Sequence, residues 1–489
     1  MSADVIADYP ADHANPEHPD ASCSSAAFFL DPLAPLLFRN GQTIGDAGAL
    51  GATAIHTFPL PGTVAGAVRS AFLSRMGVDE KDLGHGPARQ LLMQGILIVG
   101  PFPARLCASD EVDAAQILLP KPADCVYLKQ NGSLEVNALV PRAIPDGMGC
   151  DIPNGLWPLF LTSCDKSKPE SGPAWWTLNE ICAWMLGMPS IFGADSHNRG
   201  PMVDVRTHVT IEDDLKVAAD GQLYATGGLD FSGRLTGQSA THGLVTWVSA
   251  TIKQSKNDGY SNNSNAGIVH RVRELDGWFS KIGADGRGVR FHALNWKADA
   301  VDALRQHEGF GALYEELNKV KQGDVVRLAL LTPAFFRHNG WYPDGLFGEE
   351  QVEQQGVHKH NRRAGVLRGQ IPSLKGWDFR LIAAAVNRWQ PYAGAMMTKK
   401  TDLMKRFSGR GRYGDQKGEA PHFGKPLKRL VPAGSVYWLK VETKGEGSLA
   451  DAMMKSVCRE EYGRDGFGIA MFGLAPDVDK EQLAGRGHK

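Results

Sequence analysis

The sequence predicts an α+β protein of two ferredoxin-like units with long insertions. Three observations carry that expectation. Its 489 residues exceed what one compact core accommodates, so two large domains, or one with insertions, is the prior. The two halves share a coarse order of strand, helix, strands, a polar or basic insertion and a final strand, as βαββαβ units do. No repeat of fixed short period is present, which sets aside a solenoid or propeller. The expected boundaries are a disordered acidic tail over 1–25, a first unit over 26–260, a second over 261–476 with a basic insertion at 359–429, and a disordered tail over 477–489.

Taken in order, residues 26–39 (AAFFLDPLAPLLFR) form an apolar, aromatic-rich run broken by prolines, which reads as a strand or edge strand. Residues 58–72, FPLPGTVAGAVRSAF, read as a sharp turn delivering a helix. Pro61 suits the first helical position and Thr63 or Gly62 serves as cap. Val64, Val68, Phe72 and Met76 make one apolar stripe, while Gly62, Gly66, Ser70 and Ser74 make a small one. The glycines suit close approach of another backbone, and two readings stand: tight helix–sheet packing, or a helix start that offers N–H groups to a phosphate with Arg69 one turn on. Residues 95–106 and 125–140 supply further strands. WWTLNEICAWMLG (175–187) gives a helix with Leu178, Ile181, Cys182 and Met185 on one face. Residues 203–230 alternate as two strands about an acidic turn, and 244–252 and 289–294 are β runs. Residues 299–319 read as one helix and 324–336 as the most strand-like run of the second half. Residues 429–442 turn into a strand, Ser448 caps a short helix reaching Glu461, and YGRDGFGIAMFG (462–473) is a glycine-rich loop entering the last strand.

Composition narrows the function classes. Hydrophobic residues at 43% and charged residues at 22% are ordinary for a soluble globular protein, and no window is apolar enough for a membrane span. Residues 1–20 lack an apolar signal-peptide core, and the seven cysteines are scattered without a C-x-x-C pair, so a reducing cytoplasm is expected and a disulfide framework or zinc cage is not. The net charge of −1 hides an asymmetry: residues 359–429 hold 17 Lys/Arg against 4 Asp/Glu, leaving the remainder acidic. Such a basic segment is either a solvated loop or a surface for a polyanion. Within it KKTDLMKRFSGRGRYGDQKGE (399–419) interleaves Lys399, Lys400, Arg410 and Arg412 with glycine, Phe407 and Tyr413, the composition that tracks a phosphate backbone and stacks bases.

No catalytic constellation rises out of the fifteen histidines, and no cofactor or metal site is expected. There is no nucleophile elbow, Walker loop or zinc-protease motif. The string 463–468, with Arg464, Gly466 and Gly468, reads equally as an anion nest of main-chain amides or as a tight helix-to-strand turn.

Five segments, in this order, resemble the third-subunit family of the Cmr complex, the type III-B CRISPR effector, within the RAMP superfamily. They are LFRNGQTIG (37–45), FPLPGTVAGAVRSAF, LLTPAFF with the following WYPDG, KRLVPAGSVYWLKVE, and the terminal GFGIAMFG, together spanning roughly 28–474. The resemblance implies two ferredoxin-like, RRM-related domains and no catalysis by this subunit. It implies a role in holding the repeat-derived 5′ tag of the crRNA between the large polymerase-like subunit and a backbone subunit, with no membrane partner. The residues it nominates are Arg39, Thr63, Arg69, Gly434, Ser435, Gly466 and Gly468, to which the charge and glycine patterns add Gly66, Lys399, Lys400, Arg410, Arg412 and Arg464. Gly62 departs from the serine expected in the proline turn, and Ala284-Asp285-Gly286 from a Gly-Gly-Glu turn, which weakens any role for Arg287. The alternative is a RAMP-superfamily endoribonuclease that processes repeat RNA, for which His56 and His242 are the available general bases.

Overall fold

A computed structural model describes residues 23–38, 58–75, 95–106, 112–130, 133–144, 147, 149, 151–153, 155–162, 168–188, 199–211, 214, 216–232, 242–251, 272–283, 286–337, 340–348, 366–392, 395–396, 423–424 and 428–476. Among these the chain is mixed α and β, with many strands and few helices.

The first sheet is built on β1 (Cys23–Pro32), β2 (Ile96–Arg105), β3 (His242–Thr251) and β4 (Arg287–Ala293), in the spatial order β4-β1-β3-β2, with every neighbour antiparallel. Phe279–Ile282 adds a strand outside β4. The helix α1 (Pro61–Arg75) joins β1 to β2 in sequence and lies on one face of this sheet. Period-two alternation explains the unbroken AAFFL run. Ala26, Phe28 and Leu30 pack under Val64, Val68 and Phe72 of α1, whereas Ala27 and Phe29 enter a second, larger core with Val245 and Trp247. A strand buried on both faces has no polar side to show in its sequence.

The second sheet repeats the order. Its central strands are β5 (Val325–Leu330), β6 (Asp378–Ala385), β7 (Val436–Thr443) and β8 (Ile469–Leu474), arranged β8-β5-β7-β6 and all antiparallel. Leu367–Gly369 and Leu346–Gly348 extend it beyond β6, and Lys455–Ser456 beyond β8. Its buried residues belong to the larger core that also takes Ala27, Phe29, Val245 and Trp247, so the two sheets share one apolar mass.

Three sequence expectations change. The boundary at 260/261 is corrected, because Phe279–Ile282 and β4 pair into the first sheet through Phe28↔Ala293 and Asp31↔Arg290. The single helix over 299–319 is two, α3 (Ala300–Leu304), capped by Asp299, and α4 (Glu308–Asn318), with Gly309 and Gly311 at the restart. The helix from Ser448 to Glu461 is a short 3-10 turn at Leu449–Ala452, then Lys455–Ser456 paired with β8, then α5 (Glu460–Gly463). Met454 takes a φ of 57°, which ends the first turn.

The helix α2 (Leu178–Met185) forms as its sequence predicts, with a Thr177–Glu180 capping box and Leu178, Ile181, Cys182 and Met185 buried. Beside it lies a buried ion pair: Arg327 of β5 donates to Asp124 at 3.0 Å, and Trp184 Nε1 donates to the other carboxylate oxygen at 2.9 Å. Arg327 also donates to the carbonyls of Leu474 and Trp184. No helix among the described residues is long and apolar enough to cross a membrane.

Candidate nucleic-acid interface

The basic segment is rooted in an antiparallel stem. Gln390–Tyr392 pairs with Lys428–Leu430, and Ala395–Met396 pairs with Phe423–Gly424 further out, so one narrow ribbon carries both ends of the segment between them. Arg39, Lys399, Lys400, Arg410 and Arg412 lie outside the described residues, as do Phe407, Tyr413 and His56.

The inner face of the stem rests on an aromatic cluster. Phe335 stands 4.9 Å from Tyr392, 4.9 Å from Tyr462 and 4.8 Å from Phe467, measured between ring centroids. Lys428 donates to the Tyr462 hydroxyl and lies 4.8 Å from that ring's centroid, and Arg459 approaches the same ring at 6.0 Å. A cation over an aromatic face gains electrostatic attraction, more so when partly desolvated. Burial, reinforced by Asp465 and Tyr462, pushes the Tyr392 hydroxyl above its ordinary value.

The same turn ties the two sheets together. Arg69 of α1 reaches Asp465 at 2.6 Å, with side-chain exposures of 7% and 26%. Ile98 of β2 donates to the Arg464 carbonyl at 2.9 Å. Gly466 has a φ of 90°, and a Cβ there would fall 2.5 Å from the Gly100 carbonyl oxygen, so only glycine fits. Gly62 is constrained less: a Cβ would meet the Phe467 ring at 3.2 Å, so that ring would have to give by a few tenths of an ångström. The serine expected there would press on that ring.

These contacts decide between readings left open by the sequence. The amide of Gly466 donates to Gly463, that of Gly468 to Pro333 and that of Phe467 to Tyr462, while the Gly466 carbonyl accepts from Thr332. Residues 463–468 are therefore a tight turn, and the expectation of a nest of open amides is corrected. The turn at Gly434 and Ser435 is likewise framework. Gly434 donates to Leu330 and sits against Lys121, and Ser435 is fully buried with its hydroxyl donating to Pro432. Arg464 is half-buried and paired with Glu460. Thr63 and Gly66 stand on the open side of α1: Thr63 is half-buried with its amide on Leu60, and a Cβ on Gly66 would meet nothing within 4 Å. Of the nominated residues, the structure thus brings Arg69, Arg464 and Gly466 to one seam beside the ribbon stem, leaves Thr63 and Gly66 on the open side of α1, and holds Gly434, Ser435 and Gly468 inside.

Sequence reasoning missed Asp465, Phe335, Tyr392, Lys428 and Tyr462. Asp465 and Tyr462 stood inside the glycine-rich string and Phe335 inside a strand-like run, where nothing marks a partner far along the chain. His242 is buried within β3, which leaves it poorly placed to take a proton from a bound strand. Among the described residues no group of three or more His, Cys, Asp or Glu is arranged to hold a metal ion.

Fold and seam together define an α+β protein with two main sheets and a ribbon rooted where they meet. Residues 28–475 match the model of a CRISPR-associated protein family, Cmr3, and the chain belongs to that family. No protein of curated description matches it. Two solved structures are similar in shape, both of the Type III-B Cmr-beta complex. One, bound to cognate target RNA, has a chain 10% identical with a TM-score of 0.36. The other, bound to cognate target RNA and AMPPnP, has a chain 10% identical with a TM-score of 0.35. In each case the match covers 84% of this chain and 86% of the other.

Proposed function

We infer that the chain is a non-catalytic, cytoplasmic RNA-binding subunit of a type III-B Cmr effector. In this reading it holds the repeat-derived 5′ tag of the crRNA and bridges the large polymerase-like subunit to the backbone subunits. Membership of the Cmr3 family supports the assembly. The repeated fourth-first-third-second strand order supports reading both units as ferredoxin-like, RRM-related modules.

The observation that carries RNA binding is the basic segment on its antiparallel stem. Residues 393–427, whose two ends the ribbon carries, hold 8 Lys/Arg against 3 Asp/Glu, beside rings and further cations at the seam. Phosphate neutralisation by such a segment releases counterions, and rings supply stacking for unpaired bases. The acidic remainder of the chain repels free nucleic acid elsewhere and suits basic protein neighbours. The test is a mobility shift with the repeat-derived 5′ tag RNA against a shuffled RNA of equal length, at fixed salt. Binding that prefers the tag is expected, with the RNA left uncut. Absence of binding, or cleavage that survives chelator and is lost in His242→Ala, would refute this function.

A further inference from the structure

The two faces of the ribbon stem each carry a cation on a ring. Tyr392 and Lys428 are directly opposite and share the inner face with Phe335 and Tyr462. Alternation along each chain turns their neighbours to the outer face. There Arg429 is opposite Pro391, so Trp389 is its diagonal neighbour, and the guanidinium carbon stands 5.1 Å from the Trp389 ring centroid. Trp389 has 43% of its surface in water and packs into neither apolar core. Arg429 is exposed, as is Arg388, which precedes the tryptophan in sequence.

A tryptophan contributes most to folding when its large ring is buried. This one is held out of the core, at the root of the most basic segment of the chain, with Arg429 on its ring and Arg388 next to it in sequence. We propose that Trp389 and Arg429 form a stacking site for an unpaired base of single-stranded RNA, with Arg388 reaching the adjoining phosphate. A ring flanked by guanidinium groups suits a base and its phosphate together, and stacking on it is tolerant of base identity. The proposal rests on the RNA-binding reading above and names residues for it on the described part of the stem.

The test uses the purified full chain and two short single-stranded RNAs of equal length, one with bases and one abasic throughout, read by fluorescence anisotropy at one salt concentration. Trp389→Leu keeps apolar bulk without a π face. It should weaken binding of the base-bearing RNA by roughly 5- to 150-fold, the range for one stacked base. Binding of the abasic RNA should change less than twofold, and Trp389→Phe should restore most of the loss. Thermal midpoints of both variants should match the wild type, because the ring lies outside the cores. Trp389→Leu binding the base-bearing RNA like wild type, or losing both RNAs equally, would overturn the stacking site and leave the wider function standing. A wild type that binds neither RNA would overturn both.

Discussion

Arg69 and Asp465 offer a clean distinction between an arginine kept for RNA and one kept for the fold. The guanidinium is almost buried, the carboxylate about a quarter exposed, and they meet at 2.6 Å across the seam between α1 and the turn before β8. Two unit charges about 4 Å apart at an effective dielectric of 20 attract by roughly 4 kcal/mol, from which desolvation and ordering are subtracted. Removing one member of a buried pair costs about 3–5 kcal/mol, and the partial exposure here discounts that. Asp465→Ala is therefore expected to cost about 2–4 kcal/mol, since it leaves the more buried charge without this carboxylate. Arg69→Ala should cost about 1–3 kcal/mol, since the carboxylate it leaves is better hydrated. Urea unfolding of both single variants and the double variant gives the coupling, expected at roughly 1–3 kcal/mol for residues in direct contact. Tag-RNA affinity measured on the same samples should change little per folded molecule. If Arg69→Ala left stability untouched while RNA affinity collapsed, and Asp465→Ala tightened RNA, the clamp would be the wrong account and Arg69 would be a phosphate ligand.

Other perturbations test separate parts of the structure. Asp124→Ala should destabilise by about 3–5 kcal/mol, because Arg327 and the Trp184 N–H lose their buried acceptor; pairing it with Arg327→Met should recover much of the loss in the same urea titration. Replacing Lys399 and Lys400 together by Gln should weaken tag-RNA binding and reduce the slope of log affinity against log salt by about 1.4, at about 0.7 per phosphate contact on a single strand. Burial pushes the Cys125 and Cys458 thiols from 9.0 up to about 12. Below pH 9 both states keep these protons. Above it the unfolded chain ionises while the fold holds its thiols neutral, so stability should fall as pH rises from 9 to 12 and be unaffected by these groups below 9. Denaturant midpoints across that window check it, and Cys458→Ala should flatten the decline.

Much of the fold was legible because local signals agreed with it. Pro61 with the Val64, Val68 and Phe72 stripe gave α1, the Leu178, Ile181, Cys182 and Met185 face gave α2, and the alternation over 203–230 gave a hairpin. What failed was non-local. Nothing near residue 290 tells that it pairs with residue 31, so the boundary between halves was set too early. The glycines at 434, 466 and 468 were found as special, but positive φ and close backbone approach look the same in sequence whether a phosphate or a neighbouring strand lies opposite. Here Gly100, Lys121 and Cys458 lie opposite. The aromatic cluster under the ribbon draws Phe335, Tyr392, Tyr462 and Phe467 from three separate segments, and each alone reads as ordinary core. Gly62 illustrates the reverse case. Its departure from the expected serine relieves a tight contact with the Phe467 ring, a reason that lies 405 residues further along the chain.

The most direct measurement is ultraviolet crosslinking of the full chain to 5′ tag RNA, with the attached peptides mapped by mass spectrometry. The account places crosslinks on the stem and its basic segment, around Trp389, Tyr392 and 395–429, with Tyr462 and the open side of α1 next. Crosslinks confined to the far edges of the two sheets, around 279–282 and 346–348, with none on the ribbon, would contradict it.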